Sequence, residues 1–90
     1  MNAERTRGVQ RRAALHAALA DPARLRIIDT LSVSDASPSE VAGLLGLAPN
    51  LVAHHLRVLE SEGLIRKARS EGDKRRSYLR LVPEVLKGWR

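Results

Sequence analysis

Hydrophobic positions recur every three or four residues over the first third of the chain, which is the spacing of amphipathic helices. The pattern predicts a first helix over residues 8–20 and a second helix over 22–32. Asp21 and Pro22 mark the start of the second helix, because aspartate caps a helix N-terminus and proline fits its first position. His16 lies near the apolar face of the first helix, and we expect it to pack there rather than bind a ligand. The side chains predicted to face the core are Leu15, Leu19, Leu25, Ile28 and Leu31.

Two further helices joined by a tight turn are predicted between residues 37 and 62. The run from Ser37 to Glu40 fits a capping box, in which serine and glutamate side chains satisfy free backbone N–H groups. Gly46 is placed to end this third helix in a left-handed conformation. Pro49 begins the fourth helix, although Ala48 before it has no oxygen with which to cap. The apolar positions of the two helices are Val41, Leu44, Leu45, Val52, Leu56 and Leu59.

The remaining pattern predicts a β-hairpin and a short last helix. Residues 64–69 and 77–82 are predicted strands. In the second of these, Leu79 and Leu81 alternate with Tyr78 and Arg80, the period-two pattern of a half-buried strand. The residues between them are polar and form the tip of the hairpin. Pro83 begins a last helix that carries Val85, Leu86 and Trp89. We therefore expect an α+β fold, mainly α, in which residues 1–90 form one winged helix-turn-helix domain with five helices and a two-stranded wing.

The positive charge is concentrated at two places along the chain. Residues 1–12 carry a net +3 and residues 64–80 a net +5, whereas residues 13–63 carry a net −3, within a total of +6. A polyanion met by particular elements accounts for this distribution better than a membrane does, because no helix opposes a basic face to large apolar residues. The arginines at positions 5, 7, 11 and 12 are expected to be a solvated arm or to approach DNA flanks.

Several kinds of chemistry are excluded or unsupported by the sequence. The chain has no cysteine, which excludes disulfides, thiolate metal sites and cysteine nucleophiles. It contains no P-loop, no Gly-x-Ser-x-Gly and no Gly-x-Gly-x-x-Gly, so we expect no enzymatic activity, no cofactor and no catalytic residue. A basic N-terminus without an apolar run argues against a signal peptide, and we expect a cytoplasmic protein.

The functional hypothesis rests on four consecutive parts of the chain: a helix, a glycine turn, a second helix and a basic hairpin. The second helix of such a pair fits the major groove of DNA. Asn50, Ala53 and His54 near its start are expected to read base edges, and Arg57 to contact the backbone. The adjacent His55 is expected to be a partly buried structural residue. The wing cations predicted to contact the backbone are Lys74, Arg75 and Arg76. For Asn50 and for the wing, the alternatives are a polar helix end and a solvated turn.

Two segments resemble the ArsR-type (ArsR/SmtB) winged helix-turn-helix regulators. The run from Ala20 to Ile28 resembles the family's "L-A-D-P-T-R-L-R-I-L" opening, and Val52 to Ile65 resembles its "V-S-x-H-L-x-x-L-x-x-A-G-L-V" recognition helix and following strand. The resemblance covers about residues 14–82. It implies a homodimer joined through its terminal helices, a partly palindromic operator and an inducer-released repressor, with a stress or arsenic-resistance operon as target. The dimer contacts so predicted are Leu15, Leu19, Val85, Leu86 and Trp89.

Departures from the family pattern limit what the resemblance implies. Ser37 and Ser39 stand where many relatives have a cysteine pair that binds arsenite or soft metals, and no histidine follows His55 to form a zinc site on the last helix. We therefore predict no metal site. Residues 69–81 resemble a segment found ahead of arsenate reductase or phosphatase modules, so one alternative is the regulatory part of such a fusion. The other alternative is a winged helix that binds proteins.

Overall fold

The computed structural model describes residues 3–69, 72 and 77–87, and within them seven elements follow one another along the chain. The elements are α1 (Ala3–Leu19), α2 (Pro22–Val33), α3 (Pro38–Leu45), α4 (Pro49–Ser61), β1 (Ile65–Arg69), β2 (Ser77–Leu81) and α5 (Pro83–Lys87). The architecture is mainly helical with a two-stranded antiparallel sheet, which confirms the predicted winged helix-turn-helix fold.

The helix boundaries follow the capping chemistry of the sequence. The Asp21 carboxylate accepts hydrogen bonds from the backbone N–H groups of Ala23 (2.8 Å) and Arg24 (3.3 Å) at the start of α2. Ser37 and Glu40 form the reciprocal capping box at the start of α3, with both hydrogen bonds at 3.2 Å. Gly46 ends that helix in the left-handed region with φ 67°. The start of α2 and both ends of α3 are therefore encoded locally.

The wing strands pair in a register that turns one face toward the helices. Ile65 lies opposite Leu81 and Lys67 opposite Leu79 in the antiparallel ladder. Ala36, which lies between the second and third helices, pairs with Leu79 on the other edge of β2 through two backbone hydrogen bonds of 2.7 and 3.3 Å. A single paired residue leaves no period-two pattern in the sequence, so the sequence did not predict this bridge. The bridge fixes the start of α3 beside the wing.

The hydrophobic core joins the first four helices to the inner face of the wing. Ile27, Val41, Leu59 and Leu64 are completely buried. The other buried apolar residues are Leu15, Ala18, Leu19, Ile28, Leu31, Ala36, Ala42, Leu45, Val52, Leu56, Ile65 and Leu79. Aliphatic side chains fill this core, as the near absence of aromatic residues requires.

Three side chains face outward where the sequence had suggested packing. Leu25 is 42% exposed, Leu44 is 66% exposed, and His16 is exposed with Nδ1 2.7 Å from the Arg12 carbonyl oxygen. At about 100° per residue, each lies roughly 110° around its helix from the centre of the buried face. The predicted core position of Leu25 and the predicted packing of His16 are therefore wrong. Ile27, on another side of the same helix, is completely buried instead.

Helix α1 begins five residues earlier than predicted. Residues 3–7 continue the helix, because they contain no proline and no glycine and are mostly good helix formers. The basic segment at positions 5–12 is therefore helical rather than a solvated arm. The buried residues of α1 are confined to its last five positions, namely Leu15, Ala18 and Leu19. The first three turns of α1 consequently present exposed surface.

Candidate nucleic-acid interface

Helices α3 and α4 form the helix-turn-helix, and their relative position is fixed by the turn between them. The left-handed Gly46 reverses the chain, and the N–H group of Leu47 donates to the Ala42 carbonyl at 3.2 Å. Helix α4 is then anchored by a stripe of buried side chains, Val52, His55, Leu56 and Leu59. This anchoring leaves the opposite face of α4 at the surface.

The outward face of α4 carries the residues predicted to meet DNA. Asn50, His54 and Arg57 are exposed, and Ala53 is half-buried beside them. Their spacing of three and four residues places all four within roughly 100° of the helix circumference. Asn50 lies in the first turn, where the helix N-terminus also favours a phosphate. One amide, one imidazole and one guanidinium thus form a polar stripe on a rigid element.

The wing places further cations beside α4. Arg66, Lys67 and Arg69 on β1 are all exposed. The predicted contacts Lys74, Arg75 and Arg76 lie outside the described residues, so their assignment stays a prediction. Because α4 is followed by β1 after a tight turn at Gly63, the cations of β1 lie on the strand that continues directly from this helix.

Arg80 differs from Arg66, Lys67 and Arg69, the other wing cations in the described residues, because its charge is paired. Its Nε and Nη2 atoms donate to one Asp35 carboxylate oxygen at 2.9 and 2.6 Å. These hydrogen bonds and the charge of Asp35 raise the pKa of Arg80 above its ordinary value. Arg80 lies directly opposite Arg66 in the sheet, where two like charges would repel. Asp35 offsets that repulsion and ties the segment before α3 to the wing.

The buried His55 belongs to a hydrogen-bond network that the sequence did not reveal. Arg24 Nε donates to the Ala18 carbonyl at 2.6 Å, and its Nη1 lies 3.1 Å from His55 Nδ1. A guanidinium can only donate, so His55 Nδ1 accepts and the neutral ring carries its proton on Nε2. The structural role predicted for His55 is confirmed by its 7% exposure. Arg24 thereby links α1 and α2 to the helix that presents the polar stripe.

The predicted dimer contacts fall into three groups. Leu15 and Leu19 are packed in the chain's own core with only 6% and 5% of their surface exposed. Val85 and Leu86 on α5 are half-buried against the same core. Trp89 lies outside the described residues. The contact of these residues with a second copy of the chain stays a prediction. Because Leu15 and Leu19 are already buried, a dimer interface would consist mainly of α5 and the exposed part of α1.

Ser37 and Ser39 lie close together at the start of α3. Ser37 Oγ accepts the hydrogen bond of the capping box and lies 3.2 Å from Ser39 Oγ. In the part of the chain that the structure describes, no three histidine, cysteine, aspartate or glutamate side chains come together as a metal site would require. Hydroxyl groups at this position can cap α3, but they are poor ligands for soft metals.

A match to a family model decides to which protein family this chain belongs. The model described as "Bacterial regulatory protein, arsR family" matches residues 21–67, from the Asp21 cap through the polar stripe to Lys67. This match spans just over half of the chain. The chain belongs to the arsR family. Its α3–α4 unit and wing are accordingly the DNA-binding fold of this family of transcriptional regulators.

Relatives of this arsR-family chain include a curated protein and many solved structures. The chain is 33% identical over 60 residues to the transcriptional repressor SmtB homolog of Synechocystis sp., a match that covers 67% of this chain and 46% of that protein. It therefore spans less than half the length of that relative. The ArsR-like transcriptional regulator from Rhodococcus sp. RHA1 is 28% identical, with a TM-score of 0.80 over 89% of this chain and 73% of the other.

A third relative matches nearly the whole chain in fold. The homodimeric winged helix-turn-helix DNA-binding domain from Mycobacterium bovis superposes with a TM-score of 0.83 over 99% of this chain and 81% of that one. At 23% identity this likeness concerns the fold alone. Of the helices described in this arsR-family chain, none has the length and apolar character needed to cross a membrane.

Proposed function

We propose that this chain binds double-stranded DNA sequence-specifically as a homodimer and acts as a transcriptional repressor in the bacterial cytoplasm. The exposed polar stripe on α4 carries the proposal, because it is held by a buried opposite face on a helix that fits a major groove. Asn50, Ala53 and His54 read base edges, and an asparagine amide is suited to adenine. Arg57 and the wing cations Lys74, Arg75 and Arg76 contact phosphates.

The dimer in this proposal is supported by the surface that the terminal helices leave uncovered. The buried residues of α1 lie only in its last five positions, and Val9 in the exposed part is 49% accessible. The part of α1 before Leu15 contains no buried side chain, and an isolated helical segment shorter than about 12–15 residues is marginal in water. A two-fold dimer places two copies of α4 on one face of DNA, and the operator is then partly palindromic.

The repressor activity and its target rest on resemblance. The Synechocystis relative is a transcriptional repressor, which supports repression rather than activation. A stress or arsenic-resistance operon is the target that the family resemblance suggests. Ser37 and Ser39 lack thiolate ligands, so an inducer of this chain is bound by other groups than a cysteine pair.

Fluorescence anisotropy with duplex DNA from the gene's own promoter and with a scrambled duplex tests this function. We expect the promoter to bind more tightly, and its affinity to fall roughly 10³-fold or more between about 50 and 200 mM salt if six or more phosphates are contacted. Weak and equal binding to both duplexes would contradict sequence-specific recognition. Salt-independent binding of a protein partner would then favour the alternative that this winged helix binds proteins.

A further inference from the structure

A groove of about 600 Å³ lies between α3, α4 and the inner face of the wing. Its volume is within the range of small-molecule sites in proteins, roughly 300–1,000 Å³. Ala42, Val52 and Leu56 form its apolar floor, and Pro38 and Pro49 border it where the two helices begin. These elements hold the groove on the same side of the molecule as the start of α4.

Two cations border this apolar groove. Arg57 reaches it from α4 and Lys67 from β1. Lys67 lies directly opposite Leu79 in the sheet, so both side chains are on the face that turns toward α4. Neither side chain makes a hydrogen bond or an ion pair with residues 3–69, 72 or 77–87, and Glu60 is the one acidic residue among those that line the groove. The rim therefore keeps a net positive charge above a hydrocarbon floor.

The groove shares two residues with the proposed DNA-binding stripe. Ala53 and Arg57 line the groove and are also assigned to a base and a phosphate contact. A molecule in the groove would occupy the position that the DNA backbone must approach beside Arg57. Binding of DNA and binding in the groove are then mutually exclusive at this protomer.

We propose that this groove is an effector site for an amphipathic organic anion, an apolar body carrying one carboxylate or sulfonate group. The apolar body lies on the floor formed by Ala42, Val52 and Leu56, and the anionic group lies between Arg57 and Lys67. Occupancy releases DNA by competition at α4, with no change of fold. This regulatory step rests on the proposed DNA-binding function, whereas the site itself does not.

The site is tested first in the absence of DNA, with anilinonaphthalene sulfonate as a fluorescent probe. The matched neutral probe is anilinonaphthalene, the same ring system without the sulfonate. We expect the anionic probe to bind more tightly, and Lys67→Gln to weaken it about two- to fivefold without affecting the neutral probe. Arg26→Gln on the exposed side of α2 removes the same charge outside the groove and should leave both probes unchanged. Equal loss in the two variants would overturn the anion site.

A second variant tests the apolar floor. Ala42→Leu fills the groove and should weaken both probes, while Leu44→Ser removes an exposed leucine of the same helix outside it. Circular dichroism confirms that each variant is folded. If Leu44→Ser abolishes probe binding and Ala42→Leu does not, the probe binds elsewhere and the proposal is wrong.

Competition is then measured by adding the anionic probe to the complex with promoter duplex. We expect the anionic probe to release DNA at concentrations that saturate the groove, and the neutral probe to release it only at the higher concentrations that its weaker binding requires. DNA release with the same midpoint in wild type and Lys67→Gln, after correction for their DNA affinities, would overturn the effector role. A chain that binds the probe but no DNA would contradict the proposed function and the competition while leaving the site itself standing.

Discussion

The side chain of Arg24 connects the helix that presents the polar stripe to the rest of the molecule. It donates to the Ala18 carbonyl of α1 and to His55 of α4 from its own position on α2. His55 is almost completely buried, so its Nδ1 would lose its partner without gaining water if Arg24 were truncated. A buried polar atom left in that state costs about 1–3 kcal/mol.

A double-mutant cycle measures this link directly. We expect Arg24→Ala to lower the free energy of unfolding by about 1–3 kcal/mol, and the cycle with His55→Ala to give a coupling energy of at least about 0.5 kcal/mol. Urea denaturation provides the measurement. Arg26→Ala, an exposed arginine two positions away, is the control and should change stability little. Additive effects of Arg24→Ala and His55→Ala would show that the two side chains do not interact.

The Asp21 cap predicts a pH dependence of stability. Desolvation raises the pKa of this carboxyl, but the hydrogen bonds from the backbone N–H groups of Arg24 and Ala23 and the positive charge of Arg24 lower it, and the net pKa is below the ordinary value. The charged cap therefore stabilises the fold above the unfolded pKa of about 3.9, and this contribution is lost as the pH falls through the lower folded pKa.

Thermal unfolding of Asp21→Asn tests this sign. The midpoint of the wild type should exceed that of the variant by a constant amount above about pH 5, and the difference should shrink below about pH 4. Asp29→Asn on the exposed side of the same helix serves as the control for a change in net charge. A difference that grows as the pH falls would contradict the assigned direction.

At the scale of the elements, the turn between α3 and α4 depends on a single left-handed residue. Gly46 has φ 67°, and a Cβ placed there meets no atom within 4 Å. Gly43 in α3 has equally open surroundings but ordinary helical backbone. Substitutions at the two glycines therefore differ in backbone strain and not in steric crowding.

Alanine at each glycine should have opposite effects on stability. Gly46→Ala is expected to lower the free energy of unfolding by about 1–2 kcal/mol, because an alanine there is forced into the left-handed region. Gly43→Ala is expected to raise it by about 0.5–1 kcal/mol, since alanine is the better helix former. Urea denaturation of both variants checks the pair. Stabilisation by both substitutions would show that the turn does not require a left-handed residue.

Element ends were predictable from the sequence where one residue decides them, as Asp21, Ser37, Gly46 and Pro49 do. The buried faces of short helices were less so, because Leu25 and Leu44 are as hydrophobic as the residues that replace them in the core. The Ala36 bridge and the Arg24–His55 hydrogen bond join residues far apart in the chain. Such contacts depend on the packed arrangement and have no local signature.

The same distinction applies to the candidate site. The stripe of Asn50, Ala53, His54 and Arg57 follows from helical spacing once the buried positions of α4 are known. The pairing of Arg80 with Asp35 does not follow from spacing, since the two residues are 45 positions apart. Counting the cations of the wing therefore overestimates the charge that is free to meet a phosphate.

At the scale of the whole molecule, the exposed part of α1 and the half-buried face of α5 predict a dimer. We expect Leu86→Glu to dissociate it, because a charge would be placed in an apolar interface. Val33→Glu is the control, since Val33 is 86% exposed at the end of α2. Sedimentation equilibrium gives the oligomeric state, and circular dichroism shows whether the variant is folded. A folded Leu86→Glu variant that remains dimeric would exclude this interface.

Sequence-specific recognition by α4 is the central claim, and base-pair substitution in the promoter duplex tests it most directly. Binding of the wild type, Asn50→Ala and Ser61→Ala is compared on duplexes that each carry one changed base pair. Ser61, exposed at the far end of α4, is the control. We predict that Asn50→Ala loses about 1–3 kcal/mol on the parent duplex and discrimination at one position of each half-site, while Ser61→Ala matches the wild type. An Asn50→Ala variant with the affinity and base preferences of the wild type would contradict the account.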